Sequence, residues 1–450
     1  MSHLSLPKPA RQIFAIAIPA IGEAYLQNLL GVVDTFFIAH IGLTAIDAVG
    51  VTNVYSMTFL GVFAAVASAL SVYLARAYGA KDSARGHAVL RQGLLLALLT
   101  GSVTGLLALL FARPLLALLG AQGNLLGIAL PYFMIVLGLS PIIALFTAQA
   151  AAFRAIGDTK TPLRISLEMN ILHVIADYFL IFGIGSFHGL GLQGAAIAMI
   201  FARAYAFVRL AYMAYRVPAL RVSFRQKPKQ SERLLRTMTF FAIPAALERL
   251  SMRLGQVVYF GLIVRMGVDI YATHTIAGSL TAFSSTIGNG FAIAASATIG
   301  QAIGANDVRQ VTSYRRYAYL EAAITMTLIA FLLYRSSPWL GSFFTTHTDV
   351  IQLLGTILLI DVFSQPFLAS VLIDTAAIQA TGNSRYPMIT TMIGIWGVRT
   401  LGVYLFAWRL HFGLPAVWVC IGLDNALRTL LYHRYRKQKK NRDGQFFTPS

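Results

Sequence analysis

Charge and cysteine are what this sequence has least of. Asp, Glu, Lys and Arg together make up 12% of the 450 residues, where a soluble domain carries about 25%. That scarcity, with 57% hydrophobic residues and a mean hydropathy of +0.68, excludes a freely soluble fold and reads as a polytopic membrane protein. One cysteine, Cys420, rules out an intrachain disulfide and a multi-cysteine metal centre. No phosphate-cradling Gly-rich loop ending in Lys-Ser/Thr is present, so ATP is not an energy source encoded here. There is no HExxH or paired Cys/His motif, no resident cofactor is implied, and no nucleophile–base pair suggests an enzyme. The first apolar run is too long for a cleaved leader and no small-residue cleavage site follows it.

Acids are rarer than bases, 17 against 36, and the net charge is +19. Its distribution argues against nucleic acid. Lys81, Arg85 and Arg91 fall in one gap between apolar runs; Arg154, Lys160 and Arg164 fall in another, and Arg309, Arg315 and Arg316 in a third. The central gap carries Arg216, Arg221, Arg225, Lys227, Lys229, Arg233 and Arg236, and the tail runs from Arg434 to Arg442 with six bases. The alternate gaps hold little beyond Arg113, Arg335 and Arg409. Such alternation orients a chain in a membrane with its basic loops inside.

Twelve spans fit, over 13–40, 52–77, 88–112, 128–153, 162–184, 191–215, 236–266, 278–303, 316–336, 351–379, 387–409 and 414–433. An even number puts both termini on one side, and the basic gaps beside them make that side the cytoplasm of a cell with this protein in its inner or plasma membrane. The halves repeat at an offset of 225 residues: Pro19 returns as Pro244, Glu23 as Glu248, Gly42 as Gly267, Pro141 as Pro366, and FRAIGDTKTP (153–162) as IQATGNSRYP (378–387). Six spans per copy give both copies one orientation, a parallel repeat with a pseudo-two-fold along the membrane normal. The expected fold is all-α: two six-helix bundles, V-shaped, with a central cavity. The lobes are expected at 1–215 and 237–435, joined by a polar cytoplasmic linker, 216–236, and followed by a basic tail, 436–450, frayed after Tyr435.

Within the apolar runs a few groups carry chemistry. Asp34 lies in LLGVVDTFFIAHIG (29–42), and a charge at that depth costs about 2.5–3.5 kcal/mol even on the lenient insertion scale. Pro19, fifteen residues earlier, removes a backbone donor and predicts a bend, with Pro244 as its repeat. Asn170, His173 and Asp177 stand at i, i+3 and i+7 on one helix face. Asp34 and Asp177 both lie roughly 9 Å from the outer end of their helices, which predicts a shared polar pocket. Two carboxylates there hold one proton between them more readily than two charges. His173 reads equally as a proton relay or a packed, hydrogen-bonded residue. The second half breaks the symmetry, since Asp34 maps to Tyr259 and Asp177 to Gly402. Its acids are Glu248, Asp361 and Asp374, with Arg249, Arg253 and Arg399 nearby; Glu248 is open between proton site, cation ligand and a salt bridge to Arg253. Asp424 and Arg428, at i and i+4, read as a structural pair, and the GDTKTP and GNSRYP stretches as helix-starting turns. Phe36, Phe37, Phe146, Phe153, Met169 and Met199, together with Tyr259, are candidates for lining a substrate cavity.

These residues resemble the multidrug and toxic compound extrusion (MATE) transporters of the DinF/NorM kind. The likeness rests on GVVDTFFIAHIG with Pro19 fifteen residues before Asp34, on FRAIGDTKTP, ADYFLIFG, GLGLQGAAIA (189–198) and GIWGVRTLGVYL (394–405), and on the duplication. It covers nearly the whole chain. It implies cation-coupled antiport that expels amphipathic or cationic organic compounds by alternating access, with membrane lipids around a monomer. It also implies that Asp34 and Asp177 couple transport in the first half, that protonation there bends the helix at Pro19, and that Glu248 and Asp374 serve cation coupling in NorM-type members. Two departures bear on the ion: the usual asparagine four residues before the helix 5 acid is His173, and the threonine after the GAA segment is Met199. A thioether ligates a hard cation poorly, and near Asp374 the usual tyrosine is Ser370. The sequence therefore favours H+ over Na+. The alternatives are a sodium-coupled antiporter using Glu248 and Asp374, and a lipid-linked sugar flippase of related fold, for which Arg249, Arg253 and Arg399 speak.

Overall fold

An apolar run of about 20 residues can satisfy its backbone in lipid only as a helix or within a closed barrel, and this chain is helical almost throughout. The structure, a computed structural model, describes residues 7–185, 187–221 and 228–443. In the first half, α1 (Lys8–Ala39), α2 (Leu43–Gly79) and α3 (Ser83–Leu110) lead through a short α4 (Ala112–Leu118) to α5 (Gly123–Gly138) and α6 (Ser140–Ala155). Next come α7 (Lys160–Phe182) and α8 (Leu192–Arg216), with the two-residue strands β1 (Gly183–Ile184) and β2 (Phe187–His188) paired antiparallel between them. The second half holds α9 (Pro228–Val264), α10 (Val268–Gly304), α11 (Val308–Arg335), the short α12 (Ser337–Ser342), α13 (Thr348–Ala380), α14 (Arg385–Met392) and α15 (Gly413–Asp443). Beyond Met392 the α14 helix widens into π-helical turns over Ile393–Thr400 and Val403–Arg409.

No expected span overshoots its helix by more than two residues, but every helix except α8 starts earlier, α10 by ten residues. Hydropathy marks the hydrocarbon depth, whereas helices continue into the polar zone on either side. Among the described residues, nine helices are apolar and long enough to cross a membrane, and α5 with α6 makes a tenth. The other two long helices, α9 and α10, have 37 residues each. Glu248, Arg249 and Arg253 burden the first; Asp269, His274 and many Ser, Thr and Gly burden the second.

Three expectations need correction. The span 128–153 is two helices bent by 42°. The bend is seated against α3, where a Cβ on Gly105 would lie 2.7 Å from the Gly138 carbonyl oxygen. Of the linker, 222–227 lie outside the described residues, and from Pro228 the chain is already helical. The tail does not fray after Tyr435: α15 continues to Asp443, and Tyr435 stacks on Tyr386 (ring centroids 4.1 Å apart) while Asn383 donates to its hydroxyl. Residues 444–450 lie outside the described residues.

The chain forms two compact units, Gly22–Ala246 and Met1–Ile21 with Leu247–Ser450. Their edges lie two residues past Pro19 and two past Pro244, inside α1 and α9, whereas the sequence reading set the lobes apart at 215 and 237. The first unit has a core around Phe63, Leu70, Leu74, Leu90, Phe153 and Leu210, and another around Ile38, Tyr132, Phe133, Leu137 and Ile181. In the second, Tyr259, Ile263, Leu280, Ile357, Val403 and Trp418 pack together. Large apolar side chains such as Leu106, Phe201, Ile324 and Phe363 are more than half exposed, as a lipid-facing surface requires.

The repeat extends to local geometry. Lys81 and Asn306 both take left-handed backbone (φ 54° and 56°), and Asp82 and Asp307 then cap α3 and α11 by accepting from Arg85 N and Gln310 N. Gly157 and Gly382 (φ 88° and 86°) turn the chain where Asp158 and Asn383 accept backbone N–H bonds three residues on. Those turns are structural, as the sequence suggested.

Candidate functional site

Asp34 lies five residues before the end of α1, and Asp177 five before the end of α7. With His173 they form one cluster, in which one ligand atom from each lies within 4.8 Å of the others. The imidazole stands between the acids: Nδ1 is 3.8 Å from an Asp34 oxygen and Nε2 is 3.4 Å from Asp177. His173 and Asp177 are buried and Asp34 is partly so. One oxygen of each carboxylate is buried without a hydrogen-bond partner among the described residues. Asn170, one turn deeper, donates to the Leu26 carbonyl at 2.9 Å and so ties α7 to α1, while its own oxygen has no hydrogen-bond partner among the described residues.

The local sequence explains this meeting. Every third or fourth residue of α7 faces inward, so Ser166, Met169, Asn170, His173 and Asp177 share the buried side. After β2 the chain folds back tightly, with Leu190 N donating to Leu180 O at 2.7 Å and Gly191 N to Ile181 O at 3.2 Å. Gly194 permits this, because a Cβ there would run into the Leu180 carbonyl. That draws α8 against the outer end of α7.

Two residues of the site were missed in the sequence. Arg203 on α8 is an electrostatic partner of Asp34 and His173, and buried Tyr132 on α5 one of both acids and of Arg203. The signal for Arg203 was present: a lone guanidinium in the apolar run IFARAYAFV is as costly as Asp34. Tyr132, one tyrosine among 19, carried none.

The other candidates lie elsewhere. Arg154 donates to both oxygens of Glu23 (3.0 and 2.9 Å), with Ser166 reaching the same carboxylate. The repeat reproduces this at 225 residues: Gln379 donates to Glu248 at 3.2 Å and Thr391 at 3.1 Å. Glu248 therefore makes no bridge to Arg253, which is exposed and bonds Gln256. Asp374 meets Arg315 (2.6 Å), Arg436 (3.2 Å) and Ser370 (3.1 Å), so two guanidinium groups already answer its charge. Asp424 pairs with Arg399 at 2.6 Å rather than with Arg428, which donates to Thr391. The expected cavity residues, Phe36 apart, belong to the cores of the two units. Phe153 and Met169 are buried in the larger core of the first unit, with Phe146; Phe37 and Met199 pack against its smaller core; Tyr259 is buried in the second unit. Phe36 is 61% exposed. Pro19 and Pro244 are both buried within unbroken helices.

A family model described as MatE matches the chain twice, over residues 19–179 and 244–405. Together the matches span more than half the chain, and they start at the two prolines of the repeat. The Thermotoga maritima protein named "Probable multidrug resistance protein NorM" is 25% identical over 431 residues, 95% of this chain and 92% of that one. The "Uncharacterized transporter YisQ" of Bacillus subtilis is 25% identical over 444 residues, 96% of each. A crystal structure of MATE in the bent conformation superposes with a TM-score of 0.88 at 22% identity, covering 97% of this chain and 96% of the other. That likeness carries the fold of twelve membrane-spanning helices in two six-helix bundles. The chain is thus a multi-pass membrane transporter rather than an enzyme, and it belongs to the MatE family of multidrug efflux transporters.

Proposed function

We propose that the protein is a proton-coupled antiporter exporting amphipathic or cationic organic compounds, with Asp34 and Asp177 as its coupling site. One observation carries the reading: one ligand atom from each of two carboxylates and an imidazole lies within 4.8 Å of the others, and each acid keeps a buried oxygen without a hydrogen-bond partner among the described residues. With both acids ionised, His173 neutral and Arg203 charged, the cluster bears one net negative charge, which a single proton cancels. Neutralisation removes the attraction for a cationic substrate; deprotonation on the other side of the cycle restores it. Pro19, with no backbone donor to hold α1 rigid there, is the hinge at which that change bends the helix.

The same geometry favours H+ over Na+. A hard cation takes several oxygen ligands, and the cluster with Asn170 offers oxygen from three side chains while His173 presents nitrogen. Arg203 adds a positive charge that a second cation must approach. Export of drugs accords with the multidrug resistance name of the Thermotoga relative. The alternating basic gaps support insertion in the cell membrane with both termini cytoplasmic.

The test is ethidium efflux from proteoliposomes under an imposed proton gradient and, separately, a sodium gradient, for wild type and Asp34→Asn. Proton-driven efflux that the substitution abolishes in a correctly inserted protein is expected. Normal efflux by Asp34→Asn would overturn the assignment.

A further inference from the structure

In the second unit, among the described residues, the acids away from the ends of the long helices each have a hydrogen-bond or ion-pair partner, except one. Glu248 accepts from Gln379 and Thr391; Asp361 from Ser364 (3.3 Å) and Gln365 (2.7 Å); Asp374 from Arg315, Arg436 and Ser370; and Asp424 faces Arg399. Glu321, in α11, is 8% exposed, and neither of its carboxyl oxygens has a hydrogen-bond partner among the described residues. It does not sit at a helix end, where a charge can reach water. Six residues separate it from Arg315, about 9 Å along the axis, and α11 continues to Arg335.

Its surroundings offer little compensation. Glu321 belongs to the inward stripe Val311, Tyr314, Ala318, Ala322 and Met326, on the side of α11 that packs on α10 and α13. Met326 and Leu372 converge on Gly288 of α10 just beyond it. On its own helix the nearby titratable groups are Tyr317 and Tyr319, then Arg316, which is exposed, Arg315, which bonds Asp374, and Tyr314, whose hydroxyl donates to Gln12 at 2.7 Å. From α10 no charged side chain follows His274, and from α13 come Asp361 and Asp374, both already bonded. The segment of α1 that reaches Tyr314 carries Lys8 and Arg11. An ionised carboxylate without a partner in such a place is costly, so an intramembrane acid of this kind marks a site of ion or proton handling.

We propose that Glu321 is a second proton-binding site, in the unit that does not hold Asp34 and Asp177. It holds a proton as a neutral carboxylic acid in the conformation described and releases it during the transport cycle. The step is one proton on and one off, with no other bond changed. The role in transport rests on the proton-coupled reading above; the protonation itself does not.

The experiment is pH-difference infrared spectroscopy of the full-length protein in lipid bilayers, reading carboxyl C=O bands for wild type, Glu321→Gln, Glu321→Asp and Asp34→Asn. One pH-sensitive carboxyl band is expected to vanish in Glu321→Gln, to shift in Glu321→Asp and to survive in Asp34→Asn. Spectra of Glu321→Gln and Glu321→Asp that match wild type across the titration would overturn the site. In proteoliposomes, Glu321→Gln should exchange substrate yet move one fewer proton per substrate; an unchanged ratio would remove Glu321 from the cycle. If wild type moves no protons at all, the coupling reading fails while the infrared result still judges Glu321.

Discussion

His173 stands where the family resemblance leads one to expect a neutral asparagine, and Arg203 acts electrostatically on Asp34. The imidazole spans the gap between the two acids, and the guanidinium supplies from α8 a fixed positive charge. Removing that charge while leaving the acids in place should open the site to a mobile cation. Arg203→Gln is therefore expected to let a sodium gradient drive Asp34-dependent efflux, raising it roughly tenfold over wild type, about 1.4 kcal/mol of altered ion preference. Sodium flux assays on the variant check this, and a sodium response no greater than wild type would sink the idea. Legibility at this scale was uneven. Asp34, His173 and Asp177 announced themselves because charge or polarity in an apolar run is conspicuous, and because period 3.6 puts the last two on one face. The substrate-cavity candidates carried no such mark. Phe and Met are the commonest currency of a core, and nothing in the sequence separates Phe153, which is fully buried, from Phe36, which is exposed.

Among elements, the α5–α6 break shows what hydropathy leaves out. Both helices are apolar enough to read as one span, yet they meet at a 42° bend, with Pro141 opening α6 and Gly105 of α3 lying close against the Gly138 carbonyl. Its repeat counterpart, α13, carries Pro366 where α6 carries Pro141 and yet runs without a break from Thr348 to Ala380. A proline therefore permits a bend without dictating one. If Gly105 is what seats the break, Gly105→Leu drives a side chain into the Gly138 carbonyl and should cost about 3 kcal/mol. Gly31→Ala in α1, with nothing within 4 Å of the new Cβ, should stabilise by about 0.5–1 kcal/mol through helix propensity and chain entropy. Thermal unfolding in detergent separates the two, and equal melting temperatures would refute the seating argument. The π-helical turns beyond α14 were likewise illegible, since GIWGVRTLGVYL carries no pattern that distinguishes a wider turn from an α-helix.

On the scale of the whole molecule the duplication was the most legible feature, and it also predicts where the copies differ. Glu23 is answered by Arg154, a full ion pair, whereas Glu248 is answered by Gln379, a neutral amide at the equivalent position. Losing a charged partner strands a buried carboxylate; losing a neutral one removes a single hydrogen bond. Arg154→Gln should thus destabilise by about 3 kcal/mol and Gln379→Ala by about 1–2 kcal/mol, with Glu23→Gln restoring much of the first loss. Melting curves of the three variants test this, and equal losses for both single variants would mean that the ion pair adds nothing beyond the repeat's common geometry.

One unit is discontinuous in sequence: Met1–Ile21 belongs with Leu247–Ser450, while Gly22–Ala246 is continuous. During synthesis the opening segment leaves the ribosome first yet finds its neighbours last. Gln12 waits for Tyr314, and Phe14 for Phe291, which packs against it edge-on at 5.6 Å. For most of its biogenesis, then, the start of α1 is an unclaimed strip in the bilayer, and the continuous unit can mature before it is claimed. Insertion factors that shelter such segments, and quality-control proteases that recognise them, should find this protein most vulnerable at its beginning until α11 has been made.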